Sequence, residues 1–335
     1  MNAILPRDRA DWLALRQGYI GGSEIASLFY IWQINDILAY LHMFERPPVD
    51  AVCLGCVSRH TTGFRLYHQK IGTLPADDLF DERIAAGVFG ESGIADWAQS
   101  TEYAPHWGMR LEKARSYTPH PTVRGMGASR DYQEVAPGFP PVEVKNVDGL
   151  IFRDLWKVEG GEIVAPPMDI TLQLQVQIAC GSARGGKSPY GWVIACVGGN
   201  KLLRGRIDRH EPTIAKIEQA VTAFWAAIDA GTPPLDIADF DTVADLSLLG
   251  AEERAAPLDL TGDSRADDLC ARFKKIDGIV KRGEAARDRV KAQLALKLGD
   301  APNTIRASTA KHKITWPLVH RGEKTHRGGF TVREI

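Results

Sequence analysis

The chain has 335 residues, 44% of them hydrophobic and 25% charged, the balance of an ordinary globular protein with one large domain or two smaller ones, which excludes a disordered or fibrous chain. No apolar run approaches the ~18–20 residues that cross a bilayer, the opening MNAILPRDRADW puts charges where a secretory signal needs an apolar core, and five scattered cysteines suit reduced thiols, so a cytoplasmic location is expected. The net charge of −1 excludes less than it suggests, because residues 271–335 hold 16 Lys+Arg against 6 Asp+Glu and the other 270 residues carry −11; a basic segment of that kind can contact phosphates or simply be a solvated helix.

In chain order, residues 8–17 (DRADWLALRQ) read as a short helix, followed by the loop Gly18-Tyr19-Ile20-Gly21-Gly22. Ser23 is placed to cap a second helix, SEIASLF. Residues 33–44 read as helical and stop at Pro47-Pro48. Residues 49–80 give no clear signal, and 82–99 resume a helical pattern with Gly90-Glu91 inside it. Pro141-Val142-Glu143-Val144-Lys145 alternates apolar and polar residues as a half-buried strand does. Residues 169–180 are ambiguous, because Gln173, Gln175 and Gln177 alternate like a strand. Two strand-like runs, 190–197 and 201–208, meet at Gly198-Gly199-Asn200, a hairpin signal. Residues 212–230 form an amphipathic helix with Pro212 at its start and Gly231 beyond its end. Residues 232–268 hold 10 acids against 2 bases and read as a linker. A long helix over about 264–298 follows, with Leu269, Phe273, Ile276, Val280, Val290 and Leu294 on a seam broken at Gly283 and Arg287, able to dock on the core or on another chain. Strands are expected around Lys313–Leu318 and Gly329–Glu334. The implied division is 1–235, an acidic linker over 236–263, and a basic helix with strands over 264–335.

The residues with chemistry in them are Asp131 and, after eleven intervening residues, Glu143-Val144-Lys145. Glu143 and Lys145 lie two apart on a strand and so share a face. Carboxylates brought together repel unless a cation holds them, and oxygen-only ligands favour hard cations, Mg²⁺ or Mn²⁺. A neighbouring lysine can orient a water and stabilise charge on a phosphate. Alone, such a pattern is also an ordinary surface pair.

The chain resembles the YqaJ-type viral recombinase family, which includes lambda exonuclease, over residues 11–235. The resemblance runs through Trp12-Leu13-Ala14-Leu15-Arg16, Ile20-Gly21-Gly22-Ser23-Glu24-Ile25-Ala26, Gly90-Glu91, Gly127-Ala128-Ser129-Arg130-Asp131, Val142-Glu143-Val144-Lys145, Pro167, Gln173-Leu174-Gln175-Val176-Gln177 and Phe224-Trp225. It implies an α/β fold: a restriction-endonuclease-like core with a mixed central sheet flanked by helices, here with a C-terminal helix and strand extension. It further implies a metal-dependent exonuclease acting 5′→3′ on duplex DNA ends to leave single-stranded tails for phage-type recombination, beside a single-strand annealing protein. A homotrimer and, for a phage-encoded chain, the host cytoplasm go with it. By the same resemblance Asp131, Glu143 and the Val144 carbonyl would hold the metal, with Glu91 as the outer acid of a second metal position. Lys145 would orient the attacking water, Gln173 would hydrogen-bond near the metal or Lys145 with Gln175 as the alternative on the DNA side, and Arg16 with Ser23 would hold a DNA phosphate.

Rival readings stand beside this one. An endonuclease or single-strand nuclease could share the core, and a DNA-end binder could keep a decayed site. Ser23 could be only a helix cap, Glu91 only a helix-start acid, and the glutamines only solvent-facing. Arg130 departs from the family's pattern before the first aspartate and could contact DNA or partly neutralise the site. Cys53-x-x-Cys56 with His60 and His68 has spacings unlike a common zinc finger and reads as ordinary thiols.

Overall fold

A computed structural model of the chain describes residues 3–75, 82–234, 245–247, 249, 259–299, 305–321 and 324–334. They fall into two units, Met1–Glu252 and Glu253–Ile335, each with its own internal packing. Among the described residues no helix is long and apolar enough to cross a membrane.

The first unit begins with α1 (Arg9–Gln17), whose N-terminus is capped by the Asp8 side chain accepting from Asp11 N. The helix expected to open at Ser23 is one 3₁₀ turn, Ile25–Leu28, which passes directly into strand β1 (Phe29–Ile34). The expected helix over 33–44 is a hairpin: β1 pairs antiparallel with β2 (Ile37–His42) across Asn35-Asp36. Both turn residues have positive φ, 48° and 64°, a left-handed conformation that Asn and Asp tolerate and that two-residue hairpin turns require. Strand β3 (Val52–Cys56) completes this sheet on the other side of β1, and α2 (Gly63–Lys70) follows, capped by Thr62.

Next comes α3 (Glu82–Gln99), then β4 (Leu111–Lys113), β5 (Thr118–Pro119), β6 (Gly127–Ala128), β7 (Tyr132–Glu134) and β8 (Pro141–Val147). From β8 the chain crosses through α4 (Gly149–Leu155), β9 (Lys157–Glu159), β10 (Glu162–Ala165) and α5 (Met168–Cys180) to β11 (Tyr190–Val197), which pairs parallel with β8. Strand β12 (Lys201–Asp208) and helix α6 (Glu211–Asp229) end the core, as their sequence signals indicate. The central sheet is mixed, in the order β12-β11-β8-β7-β4, so the unit is α/β.

The ambiguous segment 169–180 is therefore a helix. Its face toward the sheet packs Leu174 against Val193 and Ala195, while Leu172, Val176 and Ile178 join the cluster formed by the 3₁₀ turn, β1 and α6. A helix buried on both sides has no polar stripe, so its 3.6-residue period is hidden and the alternating glutamines dominate the sequence signal. On the opposite face of the sheet, Ile94, Ala95 and Ala98 of α3 cover Val142, Val144 and Ile194. Ile217, Ala220, Val221 and Phe224 of α6 are fully buried, each large apolar side chain among them stabilising by about 1.5–3 kcal/mol.

The expected linker over 236–263 lies largely outside the described residues. Where it is described it is not solvated throughout: Asp245 is fully buried and pairs with Arg65 of α2 at 2.6 Å. The second unit holds α7 (Ser264–Leu298), capped by Asp263, and the strands β13 (Ile305–Ser308), β14 (His312–Trp316), β15 (Leu318–Arg321), β16 (Lys324–Arg327) and β17 (Thr331–Glu334). The seam of α7 is exposed, with Phe273 at 72% and Ile276 at 58%, and no residue of the helix is buried.

Candidate active site

Strand β8 is the axis of the site. Val142 and Val144 face α3, so Glu143 and Lys145 face α5 on the other side of the sheet. Glu143 is 2% exposed and receives three donors: Lys145 Nζ and Gln173 Nε2, both 2.6 Å from Oε1, and Gln177 Nε2, 2.7 Å from Oε2. A buried carboxylate needs this degree of pairing, and charge-assisted donors are the strong ones. Gln173 Oε1 also accepts from Lys145 at 3.4 Å. Gln173 and Gln177 are four apart, on one face of α5, so the helix presents two amides to one acid.

Asp131 stands between β6 and β7, at the edge of β8. Its Oδ2 accepts the Val144 N–H at 2.9 Å. Burial, then the Glu143 carboxylate, then that of Glu91 push the Asp131 carboxyl well above its ordinary range, against the opposing effect of Lys145. For Lys145, burial works to lower the pKa, but Glu143 and Asp131 overcome it and hold the ammonium above its usual value.

The donor set suits a hard divalent cation. It consists of carboxylate oxygens and main-chain carbonyl, with no sulfur or imidazole. In a strand the N–H and C=O of one residue point to the same edge. The Val144 N–H reaches Asp131, so its carbonyl lies on that edge too, beyond Val142, the last β8 residue paired with β7. Asp131, Glu143 and this carbonyl are the residues that could hold the ion. Among the described residues no three His, Cys, Asp or Glu side chains converge as a ready-made metal cluster. The third acid, Glu91 on α3, is bonded to Lys113, whose ammonium also lies 4.8 Å from the centre of the Tyr132 ring. Beside Asp131 a cleft of about 240 Å³ is lined by Trp12, Lys113, Arg115 and Ser129. A second hollow of about 500 Å³ shares Lys113 and Arg115 and extends to Arg184.

Arg16 and Ser23 come together, with Arg16 Nη2 3.5 Å from Ser23 Oγ and its guanidinium 4.7 Å over Trp12. Two residues without a role in the sequence reading govern this corner. Glu24, 9% exposed, accepts from Arg16 at 2.8 Å and from Gly21 N at 3.0 Å. Lys70 donates to Glu24 and to the Arg16 and Tyr19 carbonyls, tying α2 to the loop. The loop lies against α5: a Cβ on Gly22 would meet Gln173 Cγ at 3.0 Å. Ser23 thus follows directly on the glycine that touches Gln173, a partner of Glu143.

Two residues that could have faced DNA are buried. Gln175 is 2% exposed and turned away, its amide donating to Asp208 O and accepting from His210 N, so neither end is left for a phosphate. Arg130 is 6% exposed; it lines the cleft beside Asp131 while donating to the carbonyls of Phe139, Gln177 and Gly181, holding the C-terminal end of α5, where a cation is favoured. Burial lowers its pKa to about 10. Gln177, given no role by sequence, could have been found from its four-residue spacing to Gln173 had the segment been read as a helix. Cys53 and Cys56 form no disulfide; Cys56 Sγ lies 3.5–3.8 Å from the carbonyls of Phe29, Ser27, Ala26 and Thr61.

No family model and no curated protein matches the chain. Among solved structures, the chain is similar to an alkaline exonuclease (LHK-Exo) from Laribacter hongkongensis, with 19% identity and a TM-score of 0.46 over 71% of this chain and 99% of that one. It is similar to LHK-Exo in complex with dAMP over the same shares, with 20% identity and a TM-score of 0.46.

Proposed function

We infer that the chain is a Mg²⁺-dependent deoxyribonuclease with a restriction-endonuclease-like core, in which Mn²⁺ can substitute, and that it degrades duplex DNA from its ends in the 5′→3′ direction to leave single-stranded tails. The observation that carries the reading is the buried Glu143 held by Lys145, Gln173 and Gln177, beside an Asp131 whose carboxyl resists ionisation. Two acids that repel in this way are stabilised by a cation, and a structural ion pair needs no second acid.

When bound, Mg²⁺ supplies charge stabilisation to the phosphate and makes water a better nucleophile. Asp131, Glu143 and the Val144 carbonyl would hold it. Lys145 holds a proton donor at the position where negative charge grows, and Gln173 fixes the direction of its ammonium. Gln177 keeps the far oxygen of Glu143 in place. Glu91 would hold a second cation in place of its pairing with Lys113. Arg16 and Ser23 take the 5′-terminal phosphate, with Glu24 limiting Arg16 to one direction. The test is digestion of end-labelled linear duplex and of covalently closed circular duplex, each with Mg²⁺ and with EDTA. Labelled 5′ nucleotides should be released from the linear form only, and only with Mg²⁺. Cleavage of the circle at a similar rate would make the enzyme an endonuclease, and cleavage in EDTA would remove the metal from the mechanism.

A further inference from the structure

Beyond the nuclease reading, and on different residues, we propose that one face of the β13-β14-β17 sheet is a second nucleic-acid-binding site, in which Arg306, Lys313 and Arg333 grip the phosphate backbone of duplex DNA. The strand order is β13-β14-β17. Its register sets Arg306 opposite Thr315 and Thr315 opposite Thr331, and in the next row on that face Ser308 opposite Lys313 and Lys313 opposite Arg333. Alternate residues of a strand point to opposite faces, so these six share one face. Ala307, Ile314, Trp316 and Val332 take the other, where Ile314 is 5% exposed and Trp316 meets Phe330 edge-on at 5.7 Å.

The polar face is all cation and hydroxyl. Arg306, Ser308, Lys313, Thr331 and Arg333 are exposed. Among the described residues none of the three cations is in an ion pair, and the one acid of the three strands, Glu334, sits opposite His312 in the apolar face's register. Lys313 and Arg333 are directly opposed, an arrangement of like charges that costs stability unless an anion lies over it. With strands about 4.8 Å apart and a rise of about 3.4 Å per residue, the Cα atoms of the three cations fall within ~12 Å, a spacing that meets several phosphates of a duplex carrying one charge per ~1.7 Å of axis. Hydroxyls set among the cations match phosphate oxygens, which accept from Ser and Thr as well as from Arg and Lys. A lipid surface fits less well, since interfacial binding needs apolar side chains on the same face, and here they lie on the opposite one.

The full chain is tested in EDTA, where the proposed cleavage cannot proceed, by fluorescence anisotropy of a short labelled duplex between about 50 and 200 mM salt. The triple variant Arg306→Ala, Lys313→Ala, Arg333→Ala should flatten the log–log salt slope by about 2.7, from ~0.9 per phosphate contact, so wild-type affinity falls about 40-fold more than the variant's across that range. The charge-keeping triple Arg306→Lys, Lys313→Arg, Arg333→Lys should retain the wild-type slope, and circular dichroism and melting of all three proteins check the fold. An unchanged slope in the alanine variant overturns the site. So does an equal loss in the charge-keeping variant, or a loss confined to vesicles containing phosphatidylserine. Because binding is read without metal, a failed nuclease assay leaves this result standing, and the reverse is also true.

Discussion

Substitution of Gly22 by alanine tests whether the segment from Arg16 to Ser23 is part of the same machinery as Glu143. An added Cβ would lie 3.0 Å from Gln173 Cγ and 3.2 Å from the Gln173 carbonyl oxygen, where ordinary contacts are 3.4–4 Å. The carbonyl belongs to the buried helix α5 and cannot yield, so the loop must retreat or the Gln173 side chain must turn. Gln173 has little room to turn, because its amide nitrogen is 2.6 Å from Glu143 and its oxygen 3.4 Å from Lys145. Overpacking of this kind costs about 1–3 kcal/mol of stability. Its catalytic effect should be about tenfold in kcat, part of the ~100-fold that a 1 Å misplacement can cause. Gly21 is the control: its added Cβ meets nothing nearer than Glu24 Oε2 at 3.8 Å, and Gly21→Ala should stay near wild type. Release of labelled nucleotide from linear duplex gives the rate, and thermal melting gives the stability. A Gly22→Ala enzyme with wild-type turnover, or equal damage from Gly21→Ala, would refute the coupling of loop and helix.

Further outcomes are expected. Asp131→Asn, Glu143→Gln and Lys145→Ala should each abolish cleavage while leaving the protein folded. In EDTA at neutral pH, Asp131→Asn should melt no lower than wild type: a carboxyl whose pKa rises on folding contributes stability below its unfolded pKa and loses it as pH climbs through the folded one, a loss that asparagine does not suffer. A lower melting point would contradict the environment described for Asp131. Mg²⁺ and Mn²⁺ should support turnover whereas Ca²⁺ binds without it, and elemental analysis should find well under one equivalent of zinc; a full equivalent lost in Cys53→Ser would reassign that segment. Duplexes with a 5′-phosphate should be degraded faster than 5′-hydroxyl ones, and Arg16→Ala should remove the difference; equal wild-type rates on both would exclude end sensing. Light scattering should show a trimer, and a monomer at all concentrations would exclude a ring.

The parts of the fold legible in the sequence are those whose own residues carry a local signal. Strand β8 alternates because α5 and α3 cover opposite faces; the β11–β12 turn, α6 and α7 carry their own caps and glycines. What could not be read was set by burial or by distance along the chain. Helix α5 has no polar stripe to reveal it, and the β1–β2 hairpin turns on two non-glycine residues with positive φ. The site was legible where ligands are close in sequence, as with Glu143 and Lys145. Gln177 reaches Glu143 from 34 residues away, Lys70 reaches Glu24 from 46, and Lys113 reaches Glu91 from 22, and no spacing rule announces such pairs.

Arg130 gives the site a property that its individual residues lack. It immediately precedes Asp131, and its guanidinium clasps the end of the helix that brings Gln173 and Gln177 to Glu143. One peptide bond therefore joins the acid at the sheet edge to the far end of α5. Substitutions at 130 and at the last turn of α5 should be epistatic: replacing Arg130 by a small residue would be tolerated only in a chain whose helix end finds another cap. The short segment around Asp131 therefore cannot be exchanged on its own; it travels with the helix that it anchors.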